Sequence, residues 1–144
     1  MGRSQAASAL DLAARALARR DFSERGLRDR LARAGVDPEE LEEALATLRE
    51  TGVLDDERFA ARRAQVLAGR GKGDAAIRSD LMRQRVGPEV VATALAGLEP
   101  ESERAERVIA RRGQSPKTAR LLAGRGFGSE AVERASDASV ARDW

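Results

Sequence analysis

Two stretches of this sequence decide the fold. Residues 27–48 read LRDRLARAGVDPEELEEALATL, and residues 77–98 read IRSDLMRQRVGPEVVATALAGL. At an offset of 50 the two stretches keep the same class of residue at the following pairs of positions: Leu27/Ile77, Leu31/Leu81, Val36/Val86, Pro38/Pro88, Leu41/Val91, Ala44/Ala94, Leu45/Leu95 and Leu48/Leu98. Agreement at this density indicates an internal repeat of one supersecondary unit.

Each copy predicts two helices joined by a tight turn. In the first copy Ser23 is a favourable N-cap, Gly35 fits the position just after the first helix, and Asp37-Pro38 fits the start of the next. The second helix then has apolar residues at i, i+3, i+4 and i+7, which is the spacing of a buried helical stripe. These residues are Leu41, Ala44, Leu45 and Leu48.

A further helix precedes each pair. The first is expected at about residues 6–19, with Leu10, Ala14 and Leu17 facing inward. The corresponding helix of the second copy is expected at about 56–69. Its inward residues are Phe59, Ala60, Ala64 and Leu67.

A weaker third copy begins near Thr118, at an offset of about 41 from the second. Its helices are expected at 104–112, 116–125 and 129–135. Ser136 and Ser139 replace the leucines of the earlier copies, so the last helix is expected to be poorly anchored. A less apolar terminal unit is typical of a cap that closes a repeat array.

We therefore predict an all-α protein of three tandem three-helix repeats, stacked in an elongated, curved array. A unit of about 45 residues buries little surface alone, so neighbouring units are expected to stack. The predicted units are residues 1–54, 55–98 and 99–137, followed by a tail, 138–144, that ends in Trp144.

The composition of the 144 residues argues against catalysis. There is no Cys and no His, which excludes the usual zinc sites, thiol nucleophiles and histidine bases. We expect no catalytic residue, no metal and no cofactor, and hence a protein that acts by binding. No apolar signal segment or membrane-spanning run is present, which predicts a cytoplasmic location.

Two motifs invite a chemical interpretation. Asp55-Asp56-Glu57 resembles a metal-binding run, but carboxylates at this place more often cap a helix start. Gly69-Arg-Gly-Lys-Gly73 lacks the spacing and the preceding strand of a phosphate-binding P-loop. We expect a flexible basic connection, whose N–H groups, Arg70 and Lys72 are able to meet a nucleic-acid phosphate.

The net charge of +2 hides an uneven distribution. Residues 37–57 carry nine acids and one base, and residues 58–98 carry eight bases and three acids. The second helices, including Arg30 and Arg33, are expected to align their cations as a ribbon for a phosphate backbone or an acidic protein groove. The alternative is that these arginines only pair with nearby acids. The candidate partner-binding or DNA-binding residues are Arg25, Arg28, Arg62, Arg63, Arg70, Lys72, Arg78, Arg83, Arg85, Lys117, Arg120 and Arg125.

Four segments, in this order and spacing, resemble the RecX family of bacterial regulatory proteins that modulate the RecA recombinase. They read LARRDFS at 17–23, GVLDDERFA at 52–60, RGKG at 70–73 and RGF at 125–127. The resemblance spans roughly residues 8–135. It departs from the family at Arg62-Arg63-Ala64, where an aromatic residue is frequent, and in the eroded last helix.

The resemblance implies a set of three-helix repeats and a regulator of recombination and DNA repair. Such a protein binds the groove of the RecA–DNA filament, as a monomer, and most often inhibits RecA. Single-stranded DNA is a weaker or indirect partner in this interpretation. The alternative function is a helical protein that binds nucleic acid directly, with any effect on the recombinase secondary.

Overall fold

The computed structural model describes residues 8–137, and over this range the chain forms nine helices and no strand. None of these helices is long and apolar enough to cross a bilayer. The predicted tail at 138–144, with Trp144, lies outside the described residues. The helices are α1 Ala9–Arg19, α2 Glu24–Arg33, α3 Pro38–Glu50, α4 Asp56–Gly69, α5 Asp74–Arg83, α6 Pro88–Ala96, α7 Glu101–Arg112, α8 Pro116–Gly124 and α9 Ser129–Ser136.

The helices pack in threes around separate apolar cores, which confirms the all-α repeat architecture. Repeat 1 consists of α1–α3, repeat 2 of α4–α6 and repeat 3 of α7–α9, and each has its own cluster of buried side chains. The packing between helices lies mainly within a repeat. Each triplet of helices closes around its own apolar stripe, and polar contacts join the repeats.

Several residues that match between repeats 1 and 2 in the sequence are buried to the same degree in the structure. Leu27, Leu31, Ile77 and Leu81 are all fully or almost fully buried. The predicted boundaries of α2 and α3 also hold, whereas α1 begins at Ala9 instead of about residue 6, and α7 begins at Glu101 instead of Arg104. Ser23 accepts a hydrogen bond from the Gly26 N–H, Asp37 caps α3 with Pro38 following, and Gly35 has a φ of 86°. Asp55 accepts from the Arg58 N–H at 3.0 Å, so this carboxylate does cap α4.

The inward face of α1 differs from the prediction. Leu10 is 41% exposed and Ala14 is exposed, whereas the buried residues are Ala9, Ala13 and Ala16. Leu17, the third predicted residue, is only partly buried. Ala9, Ala13 and Ala16 stand at i, i+4 and i+7, so they form a stripe on the helix that is as regular as the stripe of leucines. Their small side chains let α1 lie close to α2 and α3.

The last helix is better anchored than its sequence suggests. Ala135 is fully buried in the core of repeat 3, at the place that Ala44 and Ala94 hold in the other repeats. The loop before α8 also binds the end of α9. Gln114 Nε2 donates to the Arg134 carbonyl at 2.8 Å, and the Ser115 N–H donates to the Ala135 carbonyl at 2.9 Å. Polar contacts with the chain backbone thus compensate for the missing leucines.

Repeats 2 and 3 meet through a backbone-to-backbone contact. The Gly73 N–H, at the start of α5, donates to the Arg125 carbonyl at 2.8 Å, and the Ala75 N–H donates to the Gly126 carbonyl at 3.1 Å. Arg104 is buried beside this contact and donates to the Lys72 carbonyl at 3.0 Å. The connection at residues 69–73 is consequently packed against repeat 3, and its Gly73 N–H is not available for a phosphate.

We predict that Leu81→Asp unfolds repeat 2. Leu81 is completely buried, and an ionised carboxylate in place of its packed aliphatic side chain lowers the free energy of unfolding by at least about 3 kcal/mol. The adjacent Met82 is 60% exposed, so Met82→Asp is the matched control and leaves the melt unchanged. Thermal melts followed by circular dichroism distinguish the two; equal melts contradict the assignment of this core.

We predict that Gly73→Ala weakens the junction between repeats 2 and 3. An added Cβ would lie 2.5 Å from the carbonyl carbon and oxygen of Gly126, and overpacking of this kind costs about 1–3 kcal/mol. Gly87→Ala is the control, because Gly87 is also a helix N-cap but has no atom within 4 Å of such a Cβ. A lower melting temperature for Gly73→Ala alone is expected in thermal unfolding, and identical values would show that the junction is loosely packed.

A candidate partner-binding cleft between the first two repeats

A concave surface with a volume of about 950 Å³ lies between repeats 1 and 2. One wall is α2 of repeat 1, and the other is formed by α5, α6 and the turn between them. Four of the predicted binding residues lie here together. They are Arg25, Arg28, Arg78 and Arg85.

The wall of repeat 2 also presents apolar surface. Met82 is 60% exposed, because its neighbour Leu81 takes the inward position of α5. Val91 and Leu95 of α6 line the cleft beside it. A flexible thioether next to aliphatic side chains is able to adapt to apolar groups of varied shape. The cleft therefore combines a cationic rim with an apolar wall.

The four arginines differ in how firmly they are already paired. Arg28 donates to both carboxylate oxygens of Glu42, at 3.0 and 3.1 Å, and this hydrogen bonding raises the pKa of its guanidinium. Arg85 lies 3.4 Å from Asp29 of repeat 1. Within residues 8–137, Arg25 and Arg78 form no ion pair. These two guanidinium groups are available to an incoming anion without the loss of an existing partner.

Two carboxylates also line the cleft, and both are engaged. Asp56 Oδ1 accepts from the Glu24 N–H at 2.8 Å, which links the start of α4 to the start of α2. The Glu24 side chain lies 3.4 Å from Arg49 and 3.5 Å from Arg28. Asp56 keeps its negative charge, but the lining holds four arginines against two carboxylates, so the net charge of the cleft is positive.

The junction beneath the cleft is made by side chains. The Ser23 hydroxyl donates to the Gln84 carbonyl, and Arg20 donates to Gln84 Oε1 at 2.7 Å. Ser23 is buried and also caps α2, so a single hydroxyl ties the start of α2 to the end of α5. This contact corresponds to that between Gly73 and Arg125 at the next junction, and it fixes how far apart the two walls stand.

Arg85 stands at a strained position. Its φ of 66° is in the left-handed region, where Gly35 of repeat 1 and Gly126 of repeat 3 stand at the corresponding turns. A side chain there costs on the order of 1 kcal/mol relative to glycine. In return the guanidinium reaches Asp29 across the junction and lines the cleft, which glycine is unable to do.

Comparison with known proteins places this architecture in a family. Two domain models match the chain: the first three-helix domain of RecX at residues 9–48, and the second at residues 55–95. The chain belongs to the RecX family. A regulatory protein RecX of Chromohalobacter salexigens is 38% identical over 140 residues, which cover 91% of this chain and 92% of that protein. One of Syntrophotalea carbinolica is 41% identical over 95 residues, which cover 65% of this chain and 62% of that protein.

Solved RecX structures share the fold. The crystal structure of RecX from Lactobacillus salivarius has a TM-score of 0.74 at 16% identity, and the match covers 88% of this chain and 91% of that one. A second RecX crystal structure gives a TM-score of 0.73 at 22% identity. The three-helix repeat is thus kept in RecX proteins whose side chains differ at most positions.

Three more of the predicted binding residues lie along α4 of this RecX chain. Arg62, Arg63 and Arg70 border a smaller cleft of about 260 Å³ beside the exposed Val66. Arg63 already has a partner within the protein, because it donates hydrogen bonds to both carboxylate oxygens of Asp80. The distance from Nη2 to Oδ2 is 3.0 Å. Arg62 and Arg70 are exposed.

The remaining predicted residues do not join these groups into a single ribbon. Arg83 lies 3.6 Å from Asp80, and Lys117 and Arg120 are exposed on repeat 3. Lys72 and Arg125 are at the junction of repeats 2 and 3, where their carbonyls accept hydrogen bonds. The rotation of each helix about its own axis decides which way its arginines face, and the sequence pattern does not reveal that rotation. The predicted cations therefore lie on several faces.

Met82, Arg15 and Arg19 were not among the residues predicted from the sequence. Met82 gives no signal in the sequence, because one exposed apolar residue on a helix has no periodicity. Arg15 and Arg19 stand four residues apart with no acid between them, and this like-charged i, i+4 pair was the available signal.

The Arg63–Asp80 pair predicts a pH dependence of stability. The hydrogen bond from Arg63 holds the pKa of the Asp80 carboxyl below its usual value. A lowered folded-state pKa means that the stabilisation is fully present above about pH 4 and is lost as the pH falls further. We expect Asp80→Asn to lower stability by about 1–2 kcal/mol at pH 7, with the difference shrinking below pH 4, as measured by urea unfolding. A difference that does not change with pH would contradict the role of this ion pair.

Proposed function

We propose that this chain regulates the RecA recombinase, and through it homologous recombination and DNA repair, by binding in the groove of the RecA–DNA filament and restraining its activity. Membership of the RecX family and the name "regulatory protein" carried by its relatives support this proposal. The proposed site is the cleft between repeats 1 and 2, the proposed state is a monomer, and the proposed location is the cytoplasm.

The mixed surface of that cleft is the observation that carries the proposal. Arg25 and Arg78 offer unpaired guanidinium groups, while Met82 and the partly buried Leu95 offer apolar surface. This combination suits a protein segment that carries both carboxylates and apolar side chains. No aromatic side chain lines the cleft, so base stacking, which single-strand binders use, has no platform there.

Binding alone is sufficient for such regulation. A protein that binds one state of a filament more tightly than another shifts the population toward the bound state. Each tenfold difference in affinity corresponds to about 1.4 kcal/mol of bias. In this proposal the chain spans neighbouring subunits of the filament, holds them in the state it prefers and so limits extension or exchange, without any chemical step.

Direct binding of nucleic acid is the second candidate. It is favoured by the arginines that have no acidic partner in the described part of the chain and lie outside the cleft, such as Arg62 and Arg70. The two candidates differ in salt dependence. Phosphate-driven binding to a single strand loses affinity with a log–log slope of about −0.7 per contact, whereas a complex that needs a protein surface is less sensitive.

We predict that the double variant Arg25→Glu, Arg78→Glu loses filament regulation. Reversing both free charges of the cleft is expected to weaken inhibition of the DNA-dependent ATPase and strand exchange of RecA by at least about tenfold, because two ion pairs are replaced by repulsion. The matched control is Arg111→Glu, Arg112→Glu, which reverses two exposed arginines at the end of α7. A gel shift with bare single-stranded DNA is run beside each assay.

The outcomes separate the candidates. Loss of inhibition in the cleft variant alone, with unchanged binding to bare DNA, supports the filament cleft. Equal loss in both variants means that only net charge matters. Tight binding to bare DNA with no effect on RecA would falsify the first candidate and favour the second.

A further inference from the structure

Repeat 1 contains a second cleft, on the opposite side of α2 from the first. It lies between α1 and α2, has a volume of about 580 Å³, and is lined by four arginines and by aliphatic side chains, with no acidic residue. Arg15 and Arg19 come from α1, and Arg30 and Arg33 from α2. The arginines of α2 are thus shared between the two clefts. Arg25 and Arg28 line the cleft between repeats 1 and 2, and Arg30 and Arg33 line the cleft within repeat 1.

These four guanidinium groups have no acidic partner anywhere in residues 8–137. Arg15 and Arg19 are four residues apart on α1, and Arg30 and Arg33 are three apart on α2, so each pair places like charges side by side. Such pairs destabilise a helix. The partial negative charge at the C-termini of α1 and α2 favours nearby cations, but Arg15 lies in the middle of α1, and all four arginines converge on one cleft.

We propose that this cleft binds a run of phosphates, as the phosphodiester backbone of a nucleic acid strand presents them. Four converging cations require a ligand with several anionic groups at short spacing. Guanidinium groups bind phosphate oxygens with two parallel hydrogen bonds, and residues four apart on a helix lie about 6 Å apart along its axis, so neighbouring phosphates are reached in sequence. The lining contains no aromatic residue, which makes the binding independent of base sequence.

Because the two clefts lie on opposite sides of α2, a protein segment and a nucleic acid strand are able to occupy them together. Repeat 1 then forms the element that contacts both. This phosphate site does not depend on RecA being the partner, since the four arginines are outside the cleft assigned to the filament. Failure of one proposal therefore leaves the other intact.

The test compares two variants of the full chain that lose the same charge. One replaces Arg15, Arg19, Arg30 and Arg33 with Gln. The other replaces Arg107, Arg111, Arg112 and Arg134 with Gln; these four are exposed on repeat 3 and are not among the candidate binding residues. The probe is a fluorescein-labelled 20-nucleotide dT strand, and binding is followed by fluorescence anisotropy at several salt concentrations. Circular dichroism melts verify that both variants fold, and the double variant Arg15→Gln, Arg33→Gln replaces the first one if it does not.

The cleft variant is expected to bind the dT strand at least about tenfold more weakly, with a salt slope smaller by about 2–3, since four contacts contribute about 0.7 each. The repeat 3 variant is expected to change affinity less than about threefold, as loss of general charge alone would. Equal losses in the two variants, or no loss in either, overturn the proposal.

Competition identifies the ligand chemistry. A phosphate site is supported by two results together. Inorganic tripolyphosphate displaces the strand from the unmodified chain, and it binds the repeat 3 variant as tightly as the unmodified chain. If tripolyphosphate binds and the dT strand does not, free oligophosphate is the source of the phosphates. If poly-glutamate displaces the strand equally well at equal charge concentration, the cleft recognises charge rather than phosphate and the proposal fails.

Discussion

The arrangement of the whole array depends on one contact that occurs twice: the start of a second helix binds the end of the second helix in the next repeat. Ser23 meets the carbonyl of Gln84 at the first junction, and Gly73 meets the carbonyl of Arg125 at the second. In both, the partly positive start of a helix faces carbonyl groups that the helix end leaves unsatisfied. The orientation of the repeats, and hence the cleft between the first two, follows from this pairing of complementary helix ends.

The same contact is built differently at the two junctions. Gly73 has no side chain, so the backbones of repeats 2 and 3 approach until no Cβ fits between them, and the buried Arg104 fills the space beside them. Ser23 retains a hydroxyl, which keeps the backbones of repeats 1 and 2 further apart. This separation leaves room for the cleft of about 950 Å³, whose rim is completed by Arg85 in its left-handed conformation. The cleft therefore lies at the first junction because that junction is the less tightly closed one.

Sequence periodicity was sufficient to predict the helices and most of the core residues, since stripes such as Leu27-Leu31 and Ile77-Leu81 have one consistent inward face. It failed at α1, where leucines and alanines form competing stripes and the choice depends on how closely the neighbouring helices approach. It failed at α9, because hydrogen bonds from Gln114 and Ser115 anchor that helix and leave no apolar pattern. The candidate cleft was predicted only as a collection of arginines. The arginines that converge are decided by the rotation of α2 and α5 about their own axes. That rotation is set only when the repeats pack.

The separation of the three cores has a mechanical consequence. Bending the chain between repeats 1 and 2 exposes no core residue to water, because each apolar cluster is confined to its own repeat. The resistance to such bending comes from a few polar contacts, each worth about 1 kcal/mol, which water is able to replace. Bending between repeats 2 and 3 must instead pull apart packed backbone. We therefore expect the angle between repeats 1 and 2 to change at a lower cost in free energy than the angle between repeats 2 and 3, where the backbones are in direct contact.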